Sequence, residues 1–111
     1  MTNVTLYLNN KQLVGFKLEG HADYAEKGYD IVCAAISVLA TTAINSLESV
    51  GKVKPVQFID EEKAFIHTML PDNISPQQRH DCKIILSMLE QGLTDIAEQY
   101  PKYLKINRST I

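Results

Sequence analysis

Apolar and polar positions alternate twice near the start of the chain. Val4, Leu6 and Leu8 are separated by Thr5 and Tyr7, and Val14, Phe16 and Leu18 by Gly15 and Lys17. A period of two marks a half-buried strand, because successive side chains point to opposite faces. Asn9, Asn10 and Lys11 lie between the runs. Asparagine tolerates the positive φ of a tight turn, so the pattern predicts a hairpin. The period then lengthens. Val32, Ile36, Leu39, Ala43, Leu47 and Val50 recur at helical spacing. Asp30 is placed as the N-cap of this helix and Gly51 as its left-handed stop. Between the hairpin and the helix, 20–29 has two glycines, two tyrosines and no periodicity, which predicts a loop.

Two further strands are predicted at 56–59 and 64–70, around a solvated turn at Asp60, Glu61 and Glu62. Ser75, Pro76 and Gln78 have the spacing of a capping box with a first-turn proline. They open a second helix whose apolar stripe is Cys82, Ile85, Leu86, Leu89, Leu93, Ile96 and Tyr100, ended by Pro101. A last strand fits 103–107. The order ββαββαβ predicts an α+β two-layer domain, a mostly antiparallel sheet with two long helices.

At 111 residues the chain is long enough for one core, so 1–111 is expected to be a single domain. Hydrophobic residues at 45% and charged residues at 22% exclude wholesale disorder. A net charge of −2 argues against holding nucleic acid through bulk positive charge. No apolar run is read as a membrane span, and the first residues lack the basic start and apolar stretch of a signal peptide. A cytoplasmic location is therefore expected, with both cysteines reduced. A zinc site needs three or four ligands at compatible spacing, and no glycine-rich phosphate loop follows a strand. No metal, no cofactor and no membrane partner are expected.

The stretch from Gly20 to Ser37 carries the candidate chemistry. With Asp30 as N-cap, Cys33 falls in the first helical turn, where backbone N–H groups lack partners and the helix end is electropositive. Both effects favour a thiolate, the nucleophilic form. An Asp30 carboxylate opposes them unless it caps the helix or holds a histidine. Cys33 shares a polar line with Ser37, Thr41 and Asn45, off the apolar stripe. His21 ends the second strand, and the loop returns the chain to the helix start, so imidazole and thiol are placed to meet. A base beside a thiol is the minimum for nucleophilic cysteine catalysis.

This stretch closely resembles the signature of the ribosomal-processing cysteine protease (Prp, YsxB-like) family. Its pattern is matched by Gly20, His21, Ala22, Gly28, Asp30, Ile31, Val32, Cys33, Ala34, Ala35 and Ser37, with Asn45, Ser46 and Leu47 also similar. Asp23 departs from the pattern, which often has glycine there. The resemblance covers essentially the whole chain. It implies a cytoplasmic cysteine endopeptidase and a homodimer. The substrate it implies is the N-terminal extension of a large-subunit ribosomal protein, with an aromatic, apolar stretch at the scissile bond. It implies Cys33 as nucleophile and His21 as general base and acid, with Asp30, Ser37 and Gly20 supporting the site. Backbone N–H groups around Cys33 are the expected oxyanion hole. The loop residues Ala22, Asp23, Tyr24, Gly28 and Tyr29 are the expected substrate gate, with Gly20 and Gly28 as hinges. For Tyr24 and Tyr29 the competing reading is packing within the loop.

Other residues have blander readings. Cys82 lies on the apolar stripe and is expected in the core. His67 is out of phase with Ala64 and Ile66 and is expected at the surface or facing a dimer partner. His80 is expected in solvent. Lys102, Lys105 and Arg108 form a mild basic cluster. Two other functions compete: a non-catalytic ribosome-assembly or ribosomal-protein binding factor of the same fold, and a redox sensor pairing Cys33 with Cys82.

Overall fold

A computed structural model describes residues 1–20 and 31–111 in full, and the backbone of 27–30. The elements run β1 (Thr2–Asn9), β2 (Gln12–Glu19), α1 (Lys27–Ser49), β3 (Val56–Asp60), β4 (Phe65–Met69), α2 (Pro76–Gln99) and β5 (Leu104–Thr110). The expected ββαββαβ order is the observed one. The sheet order is β3-β4-β2-β1-β5. β1–β2, β2–β4 and β3–β4 pair antiparallel and β1–β5 pair parallel, so the sheet is mixed.

The first hairpin closes through Asn10 and Lys11 at φ 53° and 66°. Two consecutive positive φ values match the twist of the flanking strands, and asparagine bears one of them at low cost. Leu6 faces Phe16, but Leu8 faces Leu13, with a bulge between. The bulge makes Val14 the extra residue, so Leu13 takes the inward place the alternation gives to Val14. At the second hairpin Ala64 has φ 49° and belongs to the turn, not to the strand expected at 64–70.

α2 begins as its sequence predicts. Ser75 Oγ accepts from the Gln78 N–H at 3.1 Å, and Gln78 Oε1 accepts from the Ser75 N–H at 2.8 Å. Cys82, Ile85, Leu86, Leu89 and Leu93 are buried. Tyr100 caps the helix at 39% exposure and is not part of the stripe.

α1 departs more from expectation. It starts at Lys27, so Asp30 is inside its first turn and is not its N-cap. Its buried face is Val32, Ile36, Ala40, Ala43, Ile44 and Leu47, while Val50 is 61% exposed. The left-handed residue at its end is Lys52, φ 58°, not Gly51. Gly51 has a packing reason: a Cβ there would sit 2.7 Å from Cys82 Sγ and 2.8 Å from the Leu47 carbonyl oxygen. The stretch Ile31–Ser49 is long and apolar enough to cross a membrane by composition, with mean hydropathy 1.6, contrary to the expectation of no such run. Here its inner face packs in the core between sheet and α2.

One core joins the layers, with Val4, Leu6, Phe16 and Leu18 from the sheet against both helices. α2 covers β2 and β5. Helices pack about 8–10 Å apart, whereas five strands at about 4.8 Å each span more than two helices cover. The uncovered margin is β3, whose residues Val56 to Ile59 are all exposed.

Candidate active site

α1 overhangs that uncovered margin and leaves a cleft of about 340 Å³. Cys33, Ser37 and Thr41 line its helix side, with Ile36 and Ile44 beneath. Leu18, Ile59 and Ile66 line the sheet side, and Asp60 and Glu61 stand at the hairpin rim. Gly20 lies at the end of β2, also on the cleft.

The polar line read from the sequence is real: Cys33 is partly exposed, and Ser37, Thr41 and Asn45 are exposed. Its spacing of four residues puts Cys33, Ser37 and Thr41 on one face of the helix, and the three share the cleft. Asn45 follows the line but does not reach it. Cys33 comes six residues after Lys27, in the second turn instead of the first. The unpaired N–H groups of a helix belong to its first four residues, here 27–30. The N–H of Cys33 therefore lies past the unpaired first turn, contrary to the expectation that placed Cys33 in it.

His21, Ala22, Asp23 and Tyr24 lie outside the described residues. Gly28, Tyr29 and Asp30 are helical in backbone, and their side chains are also outside. Gly28 thus belongs to α1, and the expected loop ends before Lys27. Gly20 has a steric cause: a Cβ on it would lie 2.7 Å from both the Met1 carbonyl oxygen and Thr2 Cα. It lets the end of β2 pass against the start of β1, fixing where the chain leaves the sheet toward His21.

The other candidates separate cleanly. Cys82 is fully buried, and burial, with a smaller push from the Asp81 carboxylate, raises its thiol above the usual value of 9.0. It lies beneath Gly51, just past the end of α1 and eighteen residues after Cys33, of which the sixteen to Ser49 alone span about 24 Å of helix. A disulfide needs Cα atoms within about 7 Å, so the redox pair is ruled out in this fold. His67 is half-buried on the open face of the sheet, its ring centroid 5.6 Å from that of Tyr7. His80 is exposed on α2. In the basic cluster Arg108 pairs with Glu90 at 3.1 Å. Sequence reasoning missed the hairpin wall: Ile59 and Ile66 read as ordinary strand residues, and only the sheet order brings them opposite Cys33.

A partly exposed thiol on a helix, facing a cleft in a two-layer α+β domain, is the arrangement that an enzyme of the nucleophilic-cysteine class needs. The comparisons make that class specific. The family model of cysteine protease Prp matches residues 1–105, and the chain belongs to that family of ribosomal-processing cysteine proteases. It is similar to the ribosomal processing cysteine protease Prp of Bacillus subtilis, 24% identical over 93% of this chain and 92% of that one. The Staphylococcus aureus protein of the same name is 25% identical over 96% of this chain and 98% of its own. Among solved structures, SMU.848 from Streptococcus mutans superposes with a TM-score of 0.87 at 26% identity, covering 100% of this chain and 96% of that one. The S. aureus Prp structure in complex with a substrate peptide superposes at 0.87, with 24% identity and coverage of 98% and 100%.

Proposed function

We propose that this chain is a cytoplasmic, homodimeric endopeptidase that removes the N-terminal extension of a large-subunit ribosomal protein through a Cys33–His21 dyad. The observation that carries the reading is Cys33, partly exposed on a cleft that continues along α1. The names of the relatives and the peptide-bound S. aureus structure support a peptide substrate and a role in ribosomal processing.

His21 takes the Cys33 proton, and the thiolate adds to the scissile carbonyl. The oxyanion collapses with loss of the amine, which takes the proton from His21. Water, deprotonated by His21, then releases the acyl group and restores the thiol. Asp30 orients His21, and Ser37 hydrogen-bonds beside the sulfur. The segment of Ala22, Asp23, Tyr24, Gly28 and Tyr29 meets the substrate. Apolar side chains that a dimer would cover are Val56 and Phe58 on β3 and Ile84 and Met88 on α2.

The test is cleavage of a peptide spanning the ribosomal extension, followed by mass. The dyad predicts product with the parent protein and loss of at least about 10⁴-fold with Cys33→Ala. His21→Asn is expected to fall similarly. Cleavage that survives Cys33→Ala removes the thiol from the mechanism. Binding of the extended protein with no product from the parent chain instead supports a non-catalytic binding factor.

A further inference from the structure

We propose that the outer edge of β5 is a docking site separate from the Cys33 cleft. It takes an extended segment of a partner protein, with alternating acidic and apolar residues, as a sixth strand of the sheet. The site does not depend on Cys33 being the nucleophile, and it lies at the opposite margin of the sheet from the hairpin that walls the cleft.

The main chain of β5 has one side occupied and one side open. It pairs with β1 in parallel from Thr2↔Leu104 to Leu8↔Thr110, without a register shift. The Thr2 N–H donates to the Tyr103 carbonyl oxygen, and the Ile111 N–H donates to the Leu8 carbonyl oxygen, both at 2.9 Å. Successive residues of a strand turn their N–H and C=O to opposite sides. Tyr103 and Ile111 fix the odd-numbered residues toward β1, so Leu104, Ile106, Arg108 and Thr110 turn theirs outward. Among the described residues, no backbone group pairs with them there. Exposed edges are commonly blunted by a proline, a bulge or shortness. β5 has seven residues and neither proline nor bulge, whereas the other edge, β3, has five. An unblocked edge of this kind pairs with another extended chain through main-chain hydrogen bonds.

The side chains decide which chain fits. Toward α2, Leu104 is buried and Ile106 packs partly exposed on the core. Beside them Thr94, Ala97, Glu98 and Pro101 flank a groove of about 420 Å³. Thr94 and Ala97 are short, so the helix leaves room for the side chains of an added strand. On the open face of the sheet, Lys105 is exposed and level with Asn3. Glu19, one strand further, is engaged with Lys17 at 3.4 Å. Lys105 itself has no carboxylate partner among the described residues. An added strand puts every second side chain into the groove and the others on the open face. Groove-side residues meet Ile106 and Ala97, with the Glu98 carboxylate disfavouring an acid, and so are apolar. The open-face residue opposite Lys105 is acidic, because unlike charges across a strand pair attract and like charges repel.

The test uses the full Cys33→Ala chain, so that peptides bind without being cut. Three fluorescein-labelled heptapeptides are compared by anisotropy: alternating Asp and Val, alternating Lys and Val, and the residues of the first arranged in blocks. The alternating acidic peptide should bind about two- to fivefold tighter than the lysine peptide, and about tenfold tighter than the block sequence, which cannot fill the groove. Arg108→Pro removes an outward N–H and should weaken binding about tenfold. Arg108→Gln keeps that N–H and should change binding less than about threefold. Lys105→Glu should erase or reverse the preference for acid. Circular dichroism should report unchanged folds, since an edge tolerates proline where the N–H faces outward and Lys105 is exposed. Bound peptide should slow hydrogen exchange at the N–H groups of Ile106, Arg108 and Thr110 and leave β3 unchanged. Equal binding of the three peptides, undiminished binding by Arg108→Pro, or slowed exchange at β3 in place of β5 overturns the site. Protection of the β5 N–H groups without peptide, growing with protein concentration, would assign the edge to a second copy of the chain and overturns it as well.

Discussion

The two ends of α1 treat two thiols in opposite ways. Near its start, Cys33 stands on a polar row beside an open cleft. Past its far end, Cys82 of α2 is sealed at 0% exposure beneath Gly51. Residue type does not separate them, since both cysteines are helical and unbridged. What separates them is the layer geometry. The two helices close over β2, β1 and β5 and leave β3 uncovered, so the same helix gives a packed seam against α2 and a groove against the hairpin.

The largest effect that sharpens this contrast is chemical. Iodoacetamide near neutral pH should label Cys33 at least about 100-fold faster than Cys82, because the buried thiol is both inaccessible and held protonated. Peptide mapping over time reads the ratio. Comparable rates would mean that the Gly51 seam opens readily and the contrast is lost.

The seam itself breaks next. Gly51→Ala places a methyl group 2.7 Å from Cys82 Sγ and should cost about 1–3 kcal/mol in urea unfolding. At the other end, Gly20→Ala drives a Cβ into backbone atoms of Met1 and Thr2, each at 2.7 Å. It should lower cleavage more than stability, because β1 can yield at its first residues while the departure toward His21 shifts. Equal losses in both assays would make Gly20 a packing residue only.

A smaller gain is expected between the two regions. Thr68 is fully buried in β4, and its Oγ1 has no hydrogen-bond partner. Thr68→Val should stabilise by about 1 kcal/mol, removing an unsatisfied hydroxyl at similar shape. Loss of stability on that change would reveal a hydrogen bond of the hydroxyl.

The smallest effect is a pH dependence. The folded Cys82 thiol titrates above its ordinary 9.0, so the folded state holds a proton that the unfolded chain releases first. The stability it contributes is intact below 9.0 and is lost as pH rises above it toward the folded value. Cys82→Ala should flatten that alkaline loss relative to the parent chain, and parallel pH profiles would refute it.

Much of this was legible in the residues because local chemistry agreed with the fold. The capping box at Ser75, the turn at Asn10 and the stripe of α2 each need only neighbours in sequence. The start of α1 was misjudged because Asp30 is a good cap wherever a cap is needed, yet the helix runs one turn further back. Gly51 was misread for a related reason: its constraint comes from Cys82, distant in sequence. The polar row was visible at Cys33, Ser37 and Thr41, but its facing wall was not. Ile59 and Ile66 acquire meaning only from the strand order.

The central claim is that Cys33 attacks the scissile carbonyl. The most direct test is a peptide chloromethyl ketone with an apolar side chain next to the electrophile, followed by intact mass and peptide mapping. One adduct per chain on Cys33, blocked by prior substrate peptide and absent from Cys33→Ala, is the predicted result. An adduct on Cys82, or full cleavage activity in a chain whose Cys33 is quantitatively modified, would contradict it.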